Sequence, residues 1–299
     1  TASYNTAVGY QAGYSNTTGY DNNAVGAQAL YSNTTGAGNS AMGYQALYSN
    51  TTGDDNTAVG YRALYYNTGA KNNAVGVLAL YNNTTGNYNT AIGNSALYYN
   101  TTASYNTAVG FQAGVNNTAS GSCFVGCQAG YSNTTGIGNT FVGGLDNGNG
   151  NGAGYRNTTG IYNTAVGSGA FQTNTTGGSN TVVGYQALKY STTASYNTAL
   201  GSAALYYNTT GSNNTALGDE ALVSNTTASN NTAVGYQAAY SNTTGVYVDA
   251  FGYTALRSNT TGQQNVGIGT QALYSNTTAS NNTALGTAAL YYNTTGGNN

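Results

Sequence analysis

The chain has 299 residues, of which 44 are glycine, 45 asparagine, 48 threonine and 30 tyrosine, with no histidine, proline or tryptophan. Five basic and seven acidic side chains leave a net charge of −2, and 4% charged residues contrast with about 25% in ordinary domains. This composition gives no basic footprint for nucleic acid or an anionic membrane and no apolar run of about 18 residues to span a bilayer. Disordered chains are usually charged and poor in aromatics, the opposite of this balance.

Self-similarity dominates from the first residue. The segment Thr1-Ala2-Ser3-Tyr4-Asn5 starts mid-repeat, in the phase of Thr102-Ala103-Ser104-Tyr105-Asn106. The motif Asn-Thr-Ala-Val-Gly-Tyr-Gln-Ala-Leu-Tyr-Ser-Asn-Thr-Thr-Gly then recurs, anchored on seventeen glycines from Gly9 and Gly26 to Gly269 and Gly286. Thirteen of the sixteen intervals are 17 residues, two are 16 and one is 24. Residues 1–299 therefore read as a single repeat array, an all-β parallel β-solenoid (β-roll) of seventeen ~17-residue repeats.

Each repeat carries two apolar pairs, Ala-Val before the anchor (Ala7-Val8, Ala58-Val59) and Ala-Leu after it (Ala46-Leu47, Ala272-Leu273). They predict two short strands separated by turns. A glycine in every repeat argues against helix. Adjacent strand residues face opposite ways, so a doubly apolar pair implies that both faces of that strand are covered: one by the interior, the other by a second chain. Coils stacked about 4.8 Å apart would give an array of about 80 Å.

Further along the chain, length changes mark the loops. Single deletions fall near Asn67-Thr68-Gly69-Ala70 and between Asn117 and Ser122, and a Gly/Asn insertion occupies residues 144–154. Asp21, Asp55 and Lys71 share one phase, Arg62 and Glu220 another, while Lys189 and Arg257 replace a tyrosine. Charges are seldom buried unpaired, so these phases are expected to face water, with the tyrosine column (Tyr14, Tyr31, Tyr48, Tyr65, Tyr81, Tyr98) at least partly exposed. The chain stops at Asn299, in the phase of Asn5, and neither end looks capped. A slice of a longer array or head-to-tail stacking is the expectation, with any export leader outside this sequence.

The Asn-Thr-Ala-Val-Gly-x-x-Ala core at residues 5–12, 56–63 and 231–238 resembles the head repeat of YadA-like trimeric autotransporter adhesins, and similar repeats occur in tail-fibre-type proteins. The resemblance covers essentially the whole chain. It implies a left-handed parallel β-roll that trimerises on a bacterial surface and binds host or matrix partners. The 17-residue period exceeds the usual head repeat, and neither a heptad stalk nor a barrel anchor follows.

Chemistry-bearing residues are few. Without histidine, the adjacent carboxylates Asp54-Asp55 and Asp219-Glu220 diverge along a strand and do not make an acid–base pair; no enzymatic activity, cofactor or metal is expected. Cys123 and Cys127 span about 13 Å if extended, beyond the ~7 Å reach of a disulfide, and read as small apolar substitutions. Asp146-Asn147-Gly148-Asn149-Gly150 resembles a calcium-binding glycine–aspartate loop but has one carboxylate, which favours a plain loop.

Fourteen repeats contain an Asn-Thr-Thr segment, which satisfies the Asn-x-Thr acceptor pattern, at Asn16, Asn33, Asn50, Asn83, Asn100, Asn133, Asn157, Asn174, Asn208, Asn225, Asn242, Asn259, Asn276 and Asn293. They are candidate glycosylation sites, since covalent glycans would hydrate a chain so poor in charge. The competing reading is a set of turn asparagines stacked as hydrogen-bonded ladders. The sequence thus points to an extracellular or cell-surface structural fibre that assembles with itself by stacking and lateral packing. The alternative is an adhesin head or fibre binding a surface receptor or carbohydrate. Less favoured is an ice-binding solenoid in which Asn and the second Thr share one face.

Overall fold

A computed structural model describes residues 2–145 and 151–299. They group into two compact units, Thr1–Asn139 and Thr140–Asn299. In every repeat a three-residue segment, most often Thr-Ala-Val, precedes the anchor glycine, and the β-branched residues common at its first and third positions favour extended backbone. The first unit holds β1 (Thr6–Val8), β2 (Asn23–Val25), β3 (Ser40–Met42), β4 (Thr57–Val59), β5 (Asn73–Val75), β6 (Thr90–Ile92), β7 (Thr107–Val109) and β8 (Cys123–Val125). The second holds β9 (Thr140–Val142), β10 (Thr164–Val166), β11 (Thr181–Val183), β12 (Thr198–Leu200), β13 (Thr215–Leu217), β14 (Thr232–Val234), β15 (Asp249–Phe251), β16 (Val266–Ile268) and β17 (Thr283–Leu285). Within each unit consecutive strands pair parallel and in register, as in Ala24↔Ala41 and Ala199↔Ala216. Each unit is a parallel β-solenoid, and no helix occurs among the described residues.

Only one strand per repeat forms, which corrects the two-strand expectation. The Ala-Leu segment is instead a chain of turns, with Gln28 and Leu30 at φ 57° and 51°, and the same two phases recur through both units. A left-handed conformation costs a non-glycine residue about 1–2 kcal/mol. Complete burial of a leucine side chain, worth about 1.5–3 kcal/mol, offsets that cost. Leu47, Leu64, Leu80, Leu188, Leu205 and Leu256 are all fully buried. The turn backbone still bonds coil to coil: Gln28 donates its N–H to Tyr10 O at 2.8 Å, and Leu30 donates to Ala46 O at 3.0 Å. Backbone groups outside the strands thereby find partners without regular sheet.

The anchor glycine is fixed by close approach. At Gly235 φ is +132°, and a Cβ would lie 2.5 Å from Gly252 O of the next coil. The interior beside it is a thin apolar column: the strand alanine (Ala58, Ala216), the second alanine (Ala63, Ala221) and the leucine are all buried. Where the strand alanine becomes phenylalanine, the leucine position becomes glycine. A Cβ on Gly130 would strike the ring of Phe124, and one on Gly154 the ring of Phe141. Volume is exchanged between two columns, as close packing requires.

Candidate functional site

The strand sends its middle residue inward and its flanking residues outward, as period-2 geometry demands. Ala41 and Ala199 are buried while Met42 and Leu200 remain exposed at 41% and 37%. The outward column in the second unit runs Val142, Val166, Val183, Leu200, Leu217, Val234, Phe251 and Ile268, aligned by the strand register. Beside it lie exposed aromatics just after the anchor glycine, including Tyr185, Tyr236 and Tyr253, with the Tyr236 and Tyr253 rings 5.4 Å apart. This strip is apolar, periodic and turned away from the core.

A second outward feature is the tyrosine column of the first unit. Tyr14, Tyr31, Tyr48, Tyr65, Tyr81 and Tyr98 stack with successive centroids 5.0–5.3 Å apart and planes within 20°. All are exposed or half-buried, as the sequence predicts. Burial raises the Tyr65 and Tyr81 phenol pKa above the ordinary 10.0, reinforced at Tyr65 by Tyr48 and at Tyr81 by a hydrogen bond with Tyr66. Arg62 lies beside the middle of the stack, its guanidinium 5.2 Å from the Tyr61 centroid and 5.4 Å from that of Tyr65. Its Nε donates to Gln45 Oε1 at 2.8 Å, and Gln45 Nε2 donates to Gln28 Oε1 at 2.8 Å. This external glutamine ladder is invisible in composition and emerges only once the repeat is phased.

The asparagines of the fourteen Asn-Thr-Thr segments do not lie on the surface. Asn33, Asn50, Asn83, Asn100, Asn133, Asn157, Asn174, Asn208, Asn225, Asn242, Asn259 and Asn276 are all buried; Asn16 and Asn293 are half-buried. Each Nδ2 that would carry a glycan instead donates to the backbone carbonyl three residues on, and in most coils also to the asparagine of the preceding coil. Asn225 Nδ2 donates to Asn208 Oδ1 at 2.7 Å and to Ala228 O at 2.9 Å, and Asn259 Nδ2 does likewise to Asn242 Oδ1 and Gly262 O. The surface-acceptor reading is therefore corrected for the folded chain: a sugar has no room in a packed interior, and it would displace two hydrogen bonds.

A second asparagine column, missed in the sequence reading, starts each strand segment. Asn39 Nδ2 donates to Gly53 O at 2.8 Å, the same carbonyl that Asn50 Nδ2 reaches at 3.0 Å. Asn39 Oδ1 accepts from Asn56 N–H at 3.0 Å. The two amide columns make one side of the interior polar and satisfied.

The paired threonines divide their work. The hydroxyl of the first donates to the next coil's threonine carbonyl, as from Thr226 to Thr243 at 3.1 Å, while the second, such as Thr227 or Thr244, is exposed. The asparagine and the second threonine therefore do not share an open face, which removes the surface on which the ice-binding reading rested.

Asp21, Asp55 and Lys71 face water as expected. Lys189 does not: it is 3% exposed, with its ammonium 5.8 Å from the ring centroids of both Tyr190 and Tyr206. Asp54 accepts the Ala37 N–H at 2.8 Å, a structural contact. Cys123 and Cys127 are free, half-buried thiols, and burial pushes the Cys123 pKa up from 9.0. The calcium-loop candidate, residues 146–150, lies outside the described residues. Among the described residues no three metal-ligating side chains converge, and no helix is long and apolar enough to cross a membrane. Comparison with protein-family models and with curated proteins finds no match to this chain.

Proposed function

We propose that this protein is a structural, extracellular or cell-surface fibre component that assembles with copies of itself through the outward face of its strands. The carrying observation is the division of the strands into a buried middle residue, most often alanine, and an outward apolar third residue, repeated in register along both units. An aliphatic column with an aromatic column beside it is costly to leave in water, and a second copy presents the matching periodicity. The likeness to YadA-like head repeats points the same way, toward symmetric oligomers. Surface hydration falls to the second threonines. A covalent sugar would have to sit on those hydroxyls or on an exposed asparagine such as Asn213, Asn230 or Asn281, since the Asn-Thr-Thr amides are engaged inside.

Sedimentation and light scattering of the full chain over a hundredfold concentration range test the assembly. Integral multiples of the 30.3 kDa chain are expected. A single-chain mass throughout would overturn the lateral-packing reading. Immunogold labelling of intact source cells tests the location, with label confined to the cell interior as the contrary outcome.

A further inference from the structure

We propose that the second unit carries a binding site for an acidic saccharide, a pyranose bearing a carboxylate, at Arg156, Gln172 and Tyr190. The site does not depend on the lateral-packing reading, because it uses residue columns other than those of the outward strand face.

Five departures from the repeat converge here. Gln172 and Lys189 interrupt the tyrosine column in successive coils, and Arg156 and Thr173 precede the ladder position. Ser191 replaces the ladder asparagine and leaves its Oγ buried without a partner, so Asn208 Nδ2 keeps only Gly211 O, at 2.8 Å. In an array whose other coils are nearly interchangeable, a run of substitutions that weakens the ladder is not explained by coil stability. The same coils enclose a pocket of ≈ 380 Å³ lined by Asn151, Arg156, Gln172, Thr173 and Tyr190. It adjoins an apolar groove of ≈ 790 Å³ that shares Arg156, Thr173 and Tyr190 and extends to Tyr207. Such volumes suit a sugar residue or two.

The chemistry of the lining selects the ligand. Arg156 is exposed and supplies a planar set of N–H donors matched to a carboxylate. Among the described residues lining either cavity none carries a carboxylate. Gln172 is 2% exposed, and its Nε2 has no hydrogen-bond partner. A small rotation of that amide toward an entering acceptor would give it one and relieve a buried donor left without a partner. The Thr173 hydroxyl lies 2.9 Å from the carbonyls of both Lys189 and Ser191, so its proton is engaged inside the coil. The free donors are thus Arg156, Gln172 and the Asn151 amide, a set that favours an acceptor-rich anion. Beneath them the buried Lys189 adds positive potential. The rings of Tyr190 and Tyr207, 5.8 Å apart and 4° from parallel, offer apolar faces to the C–H side of a pyranose. A bare inorganic anion would use the donors and leave the rings idle, whereas a neutral sugar would leave Arg156 unpaired.

The test titrates the full chain with an oligogalacturonide and with its neutral methyl ester, by calorimetry and by protein-observed NMR. The acid form should bind at least tenfold more tightly, and its affinity should fall as salt rises. Arg156→Gln should remove at least tenfold of that affinity, and Tyr190→Ala should weaken both forms. The unfolding midpoint of Arg156→Gln should be unchanged, because the side chain is exposed. Gln172→Leu, which fills the same space without the donor, should weaken binding severalfold while the unfolding midpoint holds or rises. Equal binding of acid and ester, no binding of either, or undiminished binding by Arg156→Gln would each overturn the proposal. Binding of inorganic phosphate as tight as that of the oligogalacturonide would overturn the saccharide assignment.

Discussion

Asn225 has the sequence environment of a surface glycan acceptor and the structural environment of a core residue. The same three letters satisfy both, because asparagine offers two donors and an acceptor whether it turns to solvent or to a neighbouring coil. Only burial separates the readings, and burial follows from which way the coil closes, a property no local motif encodes. Replacing Asn225 by alanine would remove the donor to Asn208 Oδ1 and the acceptor for Asn242 Nδ2. A loss of about 1–3 kcal/mol is expected from chemical denaturation, the range for stranding buried polar groups. A surface asparagine would show almost none. The tyrosine column makes a second prediction at this scale. The folded-state pKa values of Tyr65 and Tyr81 lie above 10.0, so the folded chain holds these protons more tightly than the unfolded chain. Their contribution to stability is complete below pH 10 and is lost as pH rises from 10 through the folded values. Ultraviolet titration of the phenols, alongside thermal unfolding at pH 9 and pH 11, checks the sign.

At the level of the coil, the 17-residue period made the fold class legible, since each phase of a stacked array can occupy only one environment. The anchor glycine and the strand alanine both followed from phasing. The second strand did not, because Ala-Leu looks extended in a pattern of apolar pairs. Nothing in a leucine side chain advertises the left-handed backbone that Leu30 or Leu256 adopts. Burial imposes that conformation against local preference, and the preference is all a sequence window displays. The exchange between Phe141 and Gly154 was equally silent, since it joins two columns across a coil. Phe141→Ala alone should cost about 3–5 kcal/mol through the cavity it leaves. Gly154→Leu alone should clash with the ring. The double substitution restores the prevailing pair and should recover most of the loss, a coupling measurable in a double-mutant cycle by denaturant unfolding. Additive losses would show that the two columns do not share volume.

For the molecule as a whole, composition indicated what the surface lacks and structure indicates what occupies it. Scarce charge became an outward aliphatic column, a stacked tyrosine column and exposed second threonines. The self-assembly reading places its weight on the first of these. Val166→Glu combined with Val183→Glu puts two carboxylates on that column without touching the interior, because both valines point away from the core in β10 and β11. The double variant should retain its unfolding midpoint within a few degrees and lose at least tenfold in association, read by sedimentation equilibrium. Loss of folding without loss of association would contradict the outward placement of these residues.

The asparagine ladder also has a direction. Asn33 donates to Asn16, Asn100 to Asn83, Asn174 to Asn157 and Asn276 to Asn259, always toward the lower-numbered coil. The second column agrees where its amides meet, as from Asn56 to Asn39 and from Asn197 to Asn180. The threonine hydroxyls run the other way, one per coil against these amides. Aligned amides polarise one another, so each bond of the first column strengthens its neighbours, and removing one asparagine weakens the bonds on either side of the gap as well.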